Sequence, residues 1–273
     1  MLGLAYEKGY GTAQDFAEAA RWYQKAGDAG SSKAQANLGN LYANGRGVTR
    51  DEVTALKWYL RAAAEGQPEA ETNIGFMYCY GQGGLRRDYA EAVRWFTKAA
   101  SQQNPFAEAN LATLYLGGLG VPPSAARAAE LYRAAAKQGD LQSQGAVAWM
   151  YEHGIGVRQD MKESLRWYRV AANRGYAPAV NNLGYLYEHG VGVPHDTAQA
   201  AKYYQQAADL GLSKARYNLV ALEQNKLPNG NATKEQGLAN ASSQEEGDSA
   251  NLAEPADGPG LAASGGEAHS EAH

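Results

Sequence analysis

Residues 34–66 read AQANLGNLYANGRGVTRDEVTALKWYLRAAAEG, and their periodicity decides the fold. In the first half, Ala34, Leu38, Leu41 and Tyr42 stand at i, i+4, i+7 and i+8, one stripe of an amphipathic helix. Gly45 and Gly47 then end that helix, because glycine enters the left-handed turn region cheaply. Asp51 stands where an N-cap is needed, offering an oxygen to the free N–H groups of the next helix. The second helix carries Ala55, Trp58, Tyr59, Ala62 and Ala63 on one side; Gly66 closes it and Pro68 discourages extension. Small residues let the two helices approach closely, and a bulky Trp or Tyr fills the gap between them.

The same pattern recurs along the chain. Gly3, Gly39, Gly75, Ala112, Ala148, Gly184 and Val220 are equivalent, spaced by 36 residues except for one interval of 37, whose extra residue lies around Gly83-Gly84-Leu85. Tyr6, Tyr42, Tyr78, Tyr115, Tyr151 and Tyr187 follow three residues later, and a Gly-x-Gly pair follows each tyrosine. Asp15, Asp51, Asp88, Ser124, Asp160 and Asp196 form the cap column; Trp22, Trp58, Trp95, Leu131, Trp167 and Tyr203 follow seven residues on. One helix pair cannot bury its apolar face alone, but stacked pairs can. The expected fold is therefore all-α: an α/α superhelical solenoid of about six 36-residue helix-turn-helix repeats over residues 1–225, the first and last partial. The fourth repeat departs most, with Ala112, Ser124 and Leu131, and its Gly120-Val121-Pro122-Pro123-Ser124 loop is expected to bend the array locally.

Leu38-Gly39-Asn40-Leu41-Tyr42-Ala43-Asn44-Gly45-Arg46-Gly47-Val48 resembles the first half of a Sel-1-like repeat, as does the stretch from Leu183 to Val193. Asp51-x3-Ala55-x2-Trp58-Tyr59-x2-Ala62-Ala63-x2-Gly66 resembles the second half. These repeats are relatives of the tetratricopeptide repeats. The resemblance implies an adaptor that assembles protein complexes, with the first helices of successive repeats lining a concave surface. A cysteine-rich subgroup of the family includes members reported to act on β-lactams; Cys79 is the only cysteine here, so the chain does not resemble that subgroup.

Two residues before the small column stand Asn37, Asn73, Asn110, Ala146, Asn182 and Asn218. On a helical wheel they flank the buried stripe. The carboxamides would recur about 9 Å apart, the length of about three residues of an extended peptide. A carboxamide offers both donor and acceptor to a peptide backbone, and the tetratricopeptide resemblance implies a peptide contact at this place. The alternative is that these asparagines bond within the scaffold. Three residues after this column the chain varies through Asn40, Phe76, Thr113, Trp149, Tyr185 and Ala221, as partner-reading positions should. Trp149 beside Ala146, the gap in the ladder, suggests a pocket for an apolar side chain or packing between repeats. The candidate partner-binding set is thus Asn37, Asn73, Asn110, Asn182, Asn218, Phe76, Trp149 and Tyr185.

The remaining sequence argues against other classes. A net charge of −4 gives no broad basic surface for nucleic acid, and no run of about 18 apolar residues forms a membrane span. The Gly-x-Gly pairs follow helices, not strands, so they read as turns and not as phosphate loops. Glu152-His153 and Glu188-His189 recur one period apart, which suits a repeated loop residue better than a metal site. No catalytic set, cofactor or metal is expected, and the partner is a protein or peptide. The competing readings are a hydrolase acting on β-lactam or cell-wall material, or the repeat portion of a longer protein, since Met1 falls within a repeat helix. Residues 226–273 lack Phe, Trp and Tyr and carry two lysines against eight acids, a composition expected to stay disordered.

Overall fold

The computed structural model describes residues 2–225, which hold thirteen helices and no strand. The acidic tail expected to be disordered lies outside the described residues. The described chain falls into two compact units, residues 2–140 and 141–225. The first holds α1 (Leu2–Lys8), α2 (Phe16–Asp28), α3 (Ser32–Asn44), α4 (Glu52–Ala64), α5 (Pro68–Tyr80), α6 (Tyr89–Ser101), α7 (Pro105–Gly117) and α8 (Ala125–Lys137). The second holds α9 (Leu141–His153), α10 (Met161–Asn173), α11 (Ala177–His189), α12 (Thr197–Asp209) and α13 (Ser213–Asn225). Within each unit, consecutive helices pack as antiparallel hairpins stacked on one another.

The second-helix starts and the first-helix ends have local causes. Asp15, Asp51, Asp88, Asp160 and Asp196 each accept two backbone N–H groups of the first turn they precede. Ser124, the departure in the fourth repeat, caps α8 through Arg127 N–H. First helices end on a left-handed glycine, with φ of 66° at Gly45 and 62° at Gly118. Each loop then closes with one bond: the N–H of Asp51, Asp88, Ser124, Asp160 or Asp196 donates to the carbonyl of the tyrosine nine or ten residues before it, always at 2.9 Å. The Pro122-Pro123 loop therefore closes like the others, and the extra residue at Gly84 leaves that bond intact.

Two columns do more than mark turns. Gly47, Gly83, Gly120 and Gly192, each the second glycine of its pair, touch the start of the preceding second helix. A Cβ on Gly120 would lie 2.3 Å from the backbone carbon of Tyr89, and one on Gly47 would lie 2.2 Å from that of Phe16. The small column is equally constrained. A Cβ on Gly39 would lie 2.6 Å from the Tyr59 ring, and one on Gly184 would lie 2.7 Å from Tyr204. Where a second helix carries two adjacent aromatics, the second fills the gap within its own repeat, as Tyr59 does on Gly39. The first, Trp58, instead packs into the preceding cluster of Ala19, Ala20, Tyr23, Ala34, Leu38 and Leu41, and Trp95 likewise leans on the cluster around Ile74 and Tyr59.

Two carboxylates are buried in this scaffold, Glu71 on α5 and Glu108 on α7, held by the Nε2 of Gln102 and Gln138 respectively, each at 2.8 Å. Burial pushes both above the usual carboxylate range. A raised folded-state pKa means the folded chain holds its proton longer, so stability is lost as pH rises through that window. Glu108→Gln keeps an oxygen for Gln138 and removes the charge. It should raise the melting temperature at about pH 7.5, with the gain vanishing below the ordinary carboxylate range near pH ~4; paired melts across pH check this. Gly120→Ala should destabilise by about 3 kcal/mol, through a backbone clash added to left-handed strain, whereas Gly84→Ala, with open space around it, should cost only about 1 kcal/mol. Urea unfolding of both variants measures the difference.

Candidate interaction surface

In the first unit, α1, α3 and α5 lie side by side, and a groove of about 340 Å³ opens along them. Asn37, Asn73 and Phe76 of the expected set line it, with Tyr59 among its lining groups and Arg46, Arg50 and Glu52 contributed by the α3–α4 connection and the start of α4. Its central group is Asn40. The Asn40 Oδ1 accepts from the Tyr59 hydroxyl at 2.7 Å and from the Asn73 Nδ2 at 2.9 Å. That leaves the Asn40 Nδ2 with no acceptor among the described residues, in a residue that lines the groove. Asn37 sits beside the Tyr23 hydroxyl, which donates to Glu7 at 2.6 Å. Asn110 departs from the expected ladder: it has no exposed surface, and its amide bonds the Phe106 carbonyl one turn back at 2.9 Å. Its place in a helix gives it the right face but no opening.

In the second unit, Trp149 on α9 and Tyr185 on α11 each carry a histidine one turn on. The His153 ring lies 4.9 Å from Trp149, and the His189 ring stacks on Tyr185 at 4.2 Å. The Nδ1 of each histidine lies 3.0 Å from the carbonyl of that same aromatic residue. The repeated Glu-His dipeptide thus finishes a helix and backs an aromatic ring. Its glutamates turn the other way: Tyr168 donates to Glu152 at 2.8 Å and Tyr204 donates to Glu188 at 2.5 Å. Asn182 also bonds at the Tyr168 hydroxyl, so α9, α10 and α11 meet there. Burial first, then the adjacent carboxylate, pushes both tyrosines above the ordinary phenol range and keeps them neutral donors. Asn218 bonds the Asn181 Oδ1 across α11 and α13 at 2.9 Å, a scaffold contact.

The tyrosine hydroxyls explain residues that the motif reading passed over. Each must reach an acceptor when the ring packs on its glycine or alanine. Tyr23, Tyr168 and Tyr204 use a glutamate sixteen residues earlier. Tyr59 and Tyr132 use Asn40 and Thr113, nineteen residues earlier, where the glutamate column holds Ala43 and Leu116. The remaining repeat has Phe96 and no hydroxyl, and Phe76 and Cys79 stand at the two acceptor positions. The signal was present in the chain as a paired exchange between columns. Cys79 itself is buried in the core, and burial pushes its thiol up to about 12, away from the thiolate form.

Stacked helix hairpins with capped, glycine-ended helices and a side-chain-lined first-helix face define an α/α helical-repeat protein. The family model described as Sel1 repeat matches residues 1–31, 32–67, 68–104, 105–140, 141–176 and 177–212, and the chain belongs to the Sel1 repeat family. It is similar to c5321, a protective antigen present in uropathogenic Escherichia coli strains and displaying an SLR fold, at 36% identity and a TM-score of 0.72, over 90% of this chain and 53% of that one. The chain thus spans about half the length of that relative. A Sel1 repeat protein from Oxalobacter formigenes matches at 34% identity and a TM-score of 0.71, over 76% of this chain and 85% of that one. The immunity protein PA5088 from Pseudomonas aeruginosa, at 22% identity and a TM-score of 0.53 over 83% and 85% of the two chains, shares the fold. No match was found among curated proteins.

The hydroxyl pairing is open to a double-mutant cycle. Tyr168→Phe should cost about 1 kcal/mol, because it strips Glu152 of its donor. Tyr168→Phe combined with Glu152→Leu, which copies Leu116 in the equivalent place, should cost less than the sum of the single changes. Denaturant midpoints of the three variants measure the coupling.

Proposed function

We propose that the chain is a protein-interaction scaffold whose first helices receive an extended segment of a partner, with the groove along α1, α3 and α5 as one receiving site. Sel1 repeat proteins are generally scaffolds for protein interaction, and the fold is typically non-catalytic. The observation that carries the site is the Asn40 amide, fixed by two donors on its oxygen while its nitrogen remains available in a lined groove. Asn37 on the same helix and Asn73 from the next repeat flank it and Phe76 adds an apolar surface, a combination suited to a peptide backbone with one apolar side chain. Arg46, Arg50 and Glu52 give the same groove both signs of charge, which favours a segment of mixed charge over a uniformly acidic or basic one.

A displayed library of random peptides, selected against the full chain, tests this reading. Selected peptides should lose at least about tenfold in affinity, or ~1.4 kcal/mol, with Asn37→Ala or Phe76→Ala in proteins whose circular dichroism is unchanged. Peptides that bind both folded variants as well as the parent would move the site away from the groove.

A further inference from the structure

We propose that the first-helix face of the second unit, around Trp149, Glu152, Tyr185 and Glu188, recognises basic side chains, and that its occupant is a segment with two such residues three positions apart in polyproline II conformation. This reading concerns partner binding but uses residues of the second unit alone, so it stands or falls separately from the groove of the first.

Charge is the first argument. Glu152 and Glu188 are half-buried, and neither has a cationic partner among the described residues. Each accepts only a neutral tyrosine hydroxyl, which satisfies part of a carboxylate's capacity and none of its charge. The same column in the first unit shows the contrast: Glu7 has the Lys8 ammonium at 3.8 Å. Where Lys8 stands, the second unit has His153 and His189, and both fold back onto an aromatic ring and its carbonyl instead of onto the glutamate. Elsewhere in this unit Glu163 is paired with Arg166.

The aromatic rings supply the second argument. Trp149 and Glu152 are three residues apart on one helix, as are Tyr185 and Glu188, so ring and carboxylate share a face. Both flank a single hydroxyl, that of Tyr168 in the first case and Tyr204 in the second: the Asn40–Tyr59 and Thr113–Tyr132 bonds show that the ring column reaches that hydroxyl too. Tyr185 is 46% exposed although His189 covers one of its faces. A cation that lies over such a ring and reaches a carboxylate gains from both, and a guanidinium suits the pair best.

The form of the segment rests on ordinary helix spacing. The two ring–carboxylate pairs lie one repeat apart, bridged by Asn182 at the Tyr168 hydroxyl. Neighbouring helices pack roughly 8–10 Å apart. A polyproline II segment rises about 3.1 Å per residue with three residues per turn, so residues i and i+3 point the same way about 9 Å apart. A β-strand would turn the second side chain to the opposite side.

The test titrates the full chain by calorimetry with a capped peptide of sequence Ala-Pro-Arg-Pro-Pro-Arg-Pro-Ala and with its analogue carrying glutamine at both arginine positions. The arginine peptide should bind, and the glutamine peptide should bind at least about tenfold more weakly. Glu152→Gln with Glu188→Gln, which keeps an oxygen for each tyrosine, should weaken the arginine peptide to the level of its analogue. Tyr185→Leu, a change at an exposed ring, should weaken it in a protein with an unchanged melting curve. No binding of the arginine peptide, equal binding of the two peptides, or undiminished binding by the double glutamine variant would each overturn the proposal.

Discussion

The contact between the second aromatic of each second helix and the small residue of its partner helix governs this molecule. Tyr59 lies on Gly39 so closely that a methyl group on the glycine would sit 2.6 Å from the ring, and Gly3, Gly75 and Gly184 hold the same relation to Tyr23, Phe96 and Tyr204. Close packing of this kind sets the distance between the helices of a pair and leaves little freedom in their angle. Trp58 beside Tyr59 and Trp95 beside Phe96 then reach back into the preceding cluster, so there one dipeptide secures both the hairpin and the stack.

The same contact creates the surface. A ring laid across the small column carries its hydroxyl to the first-helix residues beyond, where it needs an acceptor. Two columns can provide one, and the chain alternates between them. An asparagine or threonine at the nearer column leaves a carboxamide or hydroxyl face, as at Asn40 and Thr113. A glutamate at the farther column frees the nearer one for a large ring, as at Trp149 and Tyr185. The chemical difference between the two described faces therefore follows from how a buried hydroxyl is satisfied, and the framework stays unchanged.

Much of this was legible in the sequence, because repeat period, caps and turn glycines are local and each leaves a residue type at a fixed place. The cap survived even where Asp became Ser124, since both residues carry a side-chain oxygen that can accept backbone N–H groups. Depth was harder to read. A helical wheel places Asn37, Asn73, Asn110, Asn182 and Asn218 on one line, yet Asn110 is fully buried and Asn218 bonds Asn181, because exposure depends on neighbouring helices that the wheel does not contain. The glutamate column was invisible for a related reason. Glu7, Glu152 and Glu188 look like ordinary polar helix ends until the tyrosine sixteen residues on is seen to need them.

A repeat scaffold separates stability from recognition by column. Changes in the glycine and aromatic columns disturb contacts that every repeat uses, so they act on the whole stack. Changes one turn away, at Trp149 or Tyr185, alter what the surface offers while the hydroxyl beneath remains satisfied by Glu152 or Glu188; at Phe76 the ring beneath is Phe96 and carries no hydroxyl, whereas Asn40 and Thr113 are themselves the acceptors. The exchange has one constraint: a large ring at the nearer column requires either a carboxylate at the farther one or a phenylalanine below. Trp149 and Tyr185 meet it with Glu152 and Glu188, and Phe76 meets it with Phe96. An aromatic first-helix face built this way acquires a negative charge wherever the buried ring is tyrosine, so the acidity of the second unit's face is a consequence of its aromaticity.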